Sequence, residues 1–232
     1  MADPARPTLV CVDFDDTLVA SQVHFDEALD AFAALLRREH GVPEDRVRQA
    51  FREVDARHHH LGRHRNRFLL TLLFTYAELT GEPRVPLRLL PEVSAIAAHP
   101  YDAPVEPRPG VPEALRRLRD RLGCRLWLVT AGDRVVQHGR IQRAGLAGEF
   151  DAVHVVAEKT AELFQSLRRG HRHAVMIGNS PRTDLWPALA AGFRAIHVQA
   201  PTWVLDDGPL PTGVPSCPSF PHAVEVLLSS GA

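Results

Sequence analysis

The spacing of apolar residues changes twice along the chain. Residues 8–14, Thr-Leu-Val-Cys-Val-Asp-Phe, form a short run rich in β-branched side chains, which predicts a buried strand. From about residue 24 to 98 the period becomes helical: Phe25, Leu29, Phe32 and Leu36 share one face, and Val47, Ala50, Phe51 and Val54 share another. Residues 68–79 are apolar on nearly every side and predict the buried helix of this segment. Pro43, Gly62, Gly81 with Pro83, and Pro91 punctuate it, and the four prolines of 99–110 predict a stiff linker. Beyond the linker, predicted helices at 111–122, 134–144, 160–169 and 183–191 alternate with predicted strands at 125–130, 152–156, 173–177 and 194–198. Strands separated by helices imply a parallel sheet covered on both faces. The Pro-rich stretch 200–219 is expected on the surface, with a closing helix at 220–229.

The fold class is therefore α/β: a Rossmann-like parallel sheet core flanked by helices. The core is built from residues 1–20 and 101–232, with an all-helical domain inserted over 21–100. A net charge of −1 shows no basic excess for nucleic acid, and no acidic tail points to a basic partner. The N-terminus lacks the pattern of a signal peptide, and no apolar run approaches membrane-spanning length. Cys11, Cys124 and Cys217 form neither a disulfide framework nor a zinc pattern. Inert thiols in a reducing cytoplasm are expected.

The chemistry gathers at the strand ends, where open parallel sheets bind ligands. After the first strand come Asp13, Asp15, Asp16 and Thr17. After 125–130 come Ala131, Gly132 and Asp133, with Thr130 closing the strand itself. Lys159 follows 152–156, and Gly178, Asn179, Ser180 and Asp184 follow 173–177. Lys159 is the only lysine among 27 basic residues. Converging oxygens suit Mg²⁺, and an ammonium beside a hydroxyl suits a phosphoryl group.

Asp13-Phe-Asp15-Asp-Thr17, Thr130, Lys159 and the Gly178–Asp184 loop, in that order, resemble the haloacid dehalogenase (HAD) superfamily of phosphohydrolases. The helical insert lies where that family carries a cap. The resemblance implies a Mg²⁺-dependent phosphomonoester hydrolase acting on a small phosphorylated metabolite through an aspartyl-phosphate. It implies Asp13 as nucleophile and Asp15 as general acid and base, the second Asp being one that dehalogenases of the family lack. Thr130 with the Ala131 backbone, Phe14 and Lys159 would bind phosphate, with Lys159 bridging Asp13 and the phosphate. Asp13, Asp15 through its carbonyl, and Asn179 would hold the metal, with Asp184 acting through water. Asn179 departs from the family's usual Asp and keeps the oxygen without the charge. Asp16 stands where Gly is common and reads as a turn-stabilising carboxylate.

A phosphomutase and a 2-haloacid dehalogenase remain alternatives of the same fold, and a non-catalytic binding protein is the alternative of another class. In the insert, residues 57–67 are dense in Arg and His. Arg63 and Arg67 are candidate substrate contacts, and His60 and His64 have an i,i+4 spacing open to a metal, against the plainer reading of a solvated turn. No nucleic acid or membrane partner is expected. The sequence fixes neither the substrate nor the oligomeric state.

Overall fold

The computed structural model describes residues 7–203 and 206–229. Two compact units divide the chain: one takes in the chain up to Gln22 and from Val105 onward, the other spans Val23–Pro104.

The first unit is built on a six-stranded sheet whose described pairings are all parallel. Its strands are β1 (Leu9–Val12), β2 (Arg125–Ala131), β3 (Ala152–Val156), β4 (Ala174–Gly178), β5 (Arg194–Val198) and β6 (Ser216–Cys217), in the order β3-β2-β1-β4-β5-β6. β1 is central because every one of its residues is apolar and buried, so it tolerates cover on both faces. The alternation of its side chains divides the core in two. Val10 and Val12 join Leu126, Leu128, Val175 and Ile177 under helices Val111–Leu122 and Phe220–Ser229. Leu9 and Cys11 join Val129, Ala174 and Met176 under Phe164 and Leu167 of helix Ala161–Arg168 and Ala188 of helix Trp186–Ala190.

The second unit contains α1 (Gln22–His40, whose first residue belongs to the other unit), α2 (Glu44–Arg57), α3 (Arg65–Thr80) and α4 (Leu90–Asp102). It buries Phe32, Leu36, Val47, Phe51, Val54, Phe68, Leu72, Tyr76 and Val93. In chain order the helices that follow are α5 (Val111–Leu122), α6 (Arg134–Arg143), α7 (Ala161–Arg168), α8 (Trp186–Ala190) and α9 (Phe220–Ser229).

Four expectations change. The helix over 68–79 is not buried all round: Phe68, Leu72 and Tyr76 point inward, while Leu70 and Phe74 are exposed. The supposed linker begins later, because α4 runs on through Pro100 to Asp102. A proline in the last turn forfeits one hydrogen bond where the helix is ending anyway. The helix predicted over 183–191 is split into a π-helical turn, Pro181–Leu185, and α8. Part of the 200–219 stretch, whose residues 204–205 lie outside the described residues, adds β6 to the sheet edge. Two residues between Pro215 and Pro218 are too few to show a strand's alternation.

Among the described residues no helix is long and apolar enough to cross a membrane. Leu115 of α5 is fully buried, in the same core cluster as Val10, Val12, Leu126 and Leu128. Leu115→Ala is expected to cost about 2–5 kcal/mol in denaturant unfolding. A loss below about 1 kcal/mol would show that the site collapses around the smaller side chain.

Candidate active site

The loop after β1 is wound tightly enough to bring three acidic side chains to the sheet's carboxyl edge. The Asp13 N–H donates to the Ile177 carbonyl at 2.9 Å, fixing the loop to β4. The Leu18 N–H donates to the Phe14 carbonyl at 2.9 Å, and Asp16 takes a left-handed backbone conformation with φ 59° between them. Asp tolerates this conformation better than most residues with a β-carbon. The Asp16 carboxylate accepts the backbone N–H groups of Ser21 at 2.9 Å and Gln22 at 3.1 Å, so it caps the start of α1. Burial raises its pKa against those hydrogen bonds. Asp16 is thus a turn-stabilising carboxylate. Phe14 places its ring in the core, leaving only its backbone for a ligand.

Lys159 lies beyond β3 and is almost wholly buried. Its ammonium donates to Asp13 Oδ1 at 2.5 Å and Asp184 Oδ1 at 2.6 Å. Burial works against this charge, but the two carboxylates outweigh it and raise the lysine pKa. Asp13 is pushed up to about 7 by burial, with Lys159 pulling it down and Asp184 and Asp15 adding to the rise. Asp184 Oδ2 accepts the Ser180 N–H at 3.0 Å, so both of its oxygens are engaged within the protein. This carboxylate lies directly over Gly178, where an added β-carbon would meet Asp184 Oδ2 at 2.4 Å.

Asp15 faces a different set of partners. It accepts from the Ser21 hydroxyl at 2.6 Å, from Gln137 Nε2 at 2.6 Å and from the Arg140 guanidinium. Burial works against its charge, but Arg140 and then the hydroxyl and amide hold its pKa below the usual carboxylate value. Gln137 Nε2 also donates to Thr130 Oγ1 at 2.6 Å, linking the second strand's hydroxyl to the same group. Ser21, Gln137 and Arg140 were not singled out in the sequence. Only the structure shows the pattern on α6: Gln137 and Arg140, one turn apart, are buried, while Val135 is 82% exposed. Polar residues facing inward on a helix call for buried partners. Asp133 caps this helix, accepting from Val135 N–H and Val136 N–H at 2.9 and 3.1 Å.

The oxygens around Thr17 fit a hard cation. Thr17 Oγ1 lies 2.8 Å from Asp13 Oδ2 and 3.3 Å from Asn179 Oδ1, so one hydroxyl proton serves two acceptors. The Asn179 amide is oriented by its own donors, which reach the Pro201 carbonyl at 3.2 Å and Thr202 Oγ1 at 3.3 Å. A backbone carbonyl can only accept, so the amide oxygen is the atom turned to the Thr17 hydroxyl, which also reaches Asp13. Asp13 and Asn179 therefore present two oxygens to one place, beside a carboxyl whose raised pKa a cation would relieve. Asp15 could join only through its carbonyl, since its carboxylate is turned to Arg140.

The structure thus gathers Asp13, Asp15, Thr130, Lys159, Asn179 and Asp184 in the first unit, with Ala131 closing β2. The two arginines named in the insert belong to the second unit. The Arg67 guanidinium is held inside that unit by Asp55 Oδ1 at 2.6 Å, and it also reaches the Asp55 and Gly62 carbonyls. Arg63 is half-buried in the turn before α3. His60 and His64 do not share a helix, because the chain breaks at Gly62. His60 Nδ1 lies 3.0 Å from the Arg57 carbonyl, and His64 Nδ1 caps α3 by accepting the Asn66 N–H.

A family model of haloacid dehalogenase-like hydrolases matches residues 7–192. The chain belongs to this family. It is an enzyme, a HAD-like hydrolase with the family's α/β core and a helical cap. A HAD-like family hydrolase from Xanthomonas campestris is 26% identical with a TM-score of 0.76, over 100% of this chain and 96% of that one. YfnB from Bacillus subtilis, in a magnesium-bound form, is 17% identical with a TM-score of 0.62, over 96% and 99% of the two chains. L-2-haloacid dehalogenase from Xanthobacter autotrophicus is 15% identical with a TM-score of 0.60, over 95% and 98%. The last two show the fold alone. No curated protein sequence matches the chain.

Gly178 gives this HAD hydrolase a sharp test of its site packing. Gly178→Ala should push Asp184 off the strand and Lys159 with it. The expected loss in kcat/KM is about 10²-fold, the usual cost of an ångström-scale misplacement. Near-wild-type kinetics would mean that Asp184 has another place to go.

Proposed function

We propose that the protein is a Mg²⁺-dependent phosphomonoesterase that acts on a small phosphorylated metabolite through a phosphorylated Asp13. The observation that carries this reading is the pair of carboxylates two residues apart with separate partners: Asp13 against Lys159, and Asp15 against Arg140. An oxygen of Asp13 attacks phosphorus while the bond to the leaving oxygen breaks, and Asp15 gives that oxygen its proton. Water then attacks the phosphorus of the aspartyl-phosphate. Asp15 takes the water's proton, Asp13 is regenerated, and inorganic phosphate leaves. As it stands in the structure, Asp15 accepts on every side and suits the second step. Carrying a proton in the first step requires it to loosen from Arg140.

Lys159 holds Asp13 in place and offers its remaining donor capacity to a phosphate oxygen, with Thr130 and the backbone of Phe14 and Ala131 completing the cradle. Asp13, the Asp15 carbonyl and Asn179 would hold Mg²⁺, with Asp184 acting through water. The magnesium-bound YfnB supports this assignment by analogy. The chemistry Mg²⁺ supplies when bound is neutralisation of charge between Asp13 and the phosphate. Asp15 supports phosphoryl transfer over dehalogenation, since it provides the proton relay an ester needs. The helical unit would select the substrate; of its two named arginines, Arg67 is paired with Asp55 inside that unit. A cytoplasmic setting suits the three free thiols.

The test is a phosphate-release screen over many phosphorylated metabolites with Mg²⁺, repeated with a chelator, with Asp13→Asn, and with 2-haloacids. Release that stops with the chelator and with Asp13→Asn is expected. Halide release, or turnover without phosphate release, would replace this reading with a dehalogenase or a mutase.

Lys159→Arg should lose much of the activity although it keeps the charge. A flat guanidinium cannot sit between Asp13 and Asp184 in a space shaped for an ammonium. Lys159→Ala should lose about 10²- to 10³-fold in kcat/KM, the cost of one pre-organised charged donor. It should also melt earlier, because it leaves two buried carboxylates facing each other. Kinetics of Lys159→Arg equal to wild type would show that only charge matters there.

A further inference from the structure

The second unit holds a cluster that the hydrolase reading does not use. His24 and Glu27 stand one turn apart on α1, and His99 lies in the last turn of α4. His24 Nδ1 is 3.1 Å from Glu27 Oε2, and His99 Nε2 is 2.9 Å from the same oxygen. The three ligand atoms all lie within 4.8 Å of one another. The two imidazole rings meet edge to face, with centroids 5.8 Å apart and planes at 83°, so neither blocks the other's nitrogen.

We propose that His24, Glu27 and His99 form a transition-metal site, selective for Zn²⁺ over Mg²⁺, that ties the first turns of α1 to the last turn of α4. Two imidazole nitrogens and one carboxylate oxygen suit zinc, whereas magnesium prefers an all-oxygen shell. A tetrahedral zinc with ligands at about 2.0–2.1 Å sets neighbouring ligand atoms about 3.3 Å apart. The 2.9 and 3.1 Å separations need only a few tenths of an ångström of adjustment, which exposed side chains can make. The fourth position is left for water.

Without a metal, the same three residues form a surface hydrogen-bonded cluster in which Glu27 is 52% exposed, a type of contact that contributes little stability. The two states differ in tautomer. Hydrogen bonding to Glu27 puts protons on His24 Nδ1 and His99 Nε2, and coordination removes them. Both imidazole nitrogens already converge on the one Glu27 oxygen. The position gives the site a purpose. The unit spans Val23–Pro104, so His24 is next to the point where the chain enters it and His99 is close to where it leaves. A bound ion would close the helical unit at its two chain ends.

The experiment uses the full chain, stripped with a chelator and titrated with Zn²⁺ against a chromophoric chelator in excess Mg²⁺. Wild type should bind one zinc and melt at a higher temperature with it. His24→Gln and His99→Gln should each weaken binding by about 10²-fold or more, since each removes a direct ligand where even outer-shell changes reach that scale. Asp13→Asn should bind zinc like wild type, which separates this site from the catalytic one. X-ray absorption of the wild-type zinc complex should count two imidazoles. Absence of zinc binding, an all-oxygen shell, unchanged affinity in both histidine variants, or loss confined to Asp13→Asn would each overturn the proposal. None of these readouts depends on the enzyme's substrate.

Discussion

The site depends on one buried ammonium placed between two buried carboxylates. Lys159 is bonded to Asp13 and Asp184, and all three are nearly closed to solvent. Each such ion loses several kcal/mol of hydration, which is recovered only when the partners are held in good geometry. The sheet order explains how that geometry is reached. Lys159 follows β3, which lies two strands from β1, and Asp184 follows β4 on the other side. Neighbouring strands are about 4.8 Å apart, so the ammonium must cross about 10 Å to reach Asp13. The residues between the end of β3 and α7, together with the long lysine side chain, span that distance, since the ammonium reaches Asp13. Gly178 permits the approach from the β4 side, because any side chain there would occupy the place of the Asp184 carboxylate.

Two carboxylates so close in sequence would ordinarily raise each other's pKa, and here their surroundings drive them apart. Asp13 is buried beside a neighbouring acid and is raised, whereas Asp15 is held by Arg140, Ser21 and Gln137 and is lowered. Divergent environments for paired carboxylates are how one site supports two roles. The link through Gln137 to Thr130 matters for the same reason. One amide group holds both the Asp15 carboxylate and the Thr130 hydroxyl, so the two cannot drift independently.

The order of strands and helices in the first unit was legible because buried strands and amphipathic helices impose different periods. The positions of Asp13, Thr130, Lys159 and Asn179 followed, since a parallel sheet sends its carboxyl ends to one edge. Arg140 and Gln137 were not legible, because a helix read by its apolar residues hides polar groups that face inward. Arg67 was misleading for the opposite reason. A run of basic residues suggests a solvated or ligand-facing surface, yet its partner Asp55 lies on another helix and only packing reveals the pair. His60 and His64 had the spacing of a shared helical face but not the helix, because Gly62 turns the chain between them. The cluster of His24, Glu27 and His99 was half visible: the i,i+3 pair lies on one helix, but His99 is 72 residues from Glu27.

The two basic residues at the site show why a chain so rich in arginine keeps a lysine. Arg140 uses the breadth of its guanidinium: one nitrogen reaches Asp15 and the Gln137 carbonyl oxygen, and the other reaches the Ser21 hydroxyl at 2.7 Å. A planar fork suits acceptors spread in this way, and the Phe14 ring lies 5.6 Å beneath its central carbon. Lys159 meets a different demand. Its acceptors come from two sides onto one point, and a phosphate would have to share that point. Three donors around a single nitrogen can serve three directions, whereas a rigid fork would spend its breadth on one. The choice between Arg and Lys is therefore set by the geometry of the acceptors, which the order of the strands has already fixed.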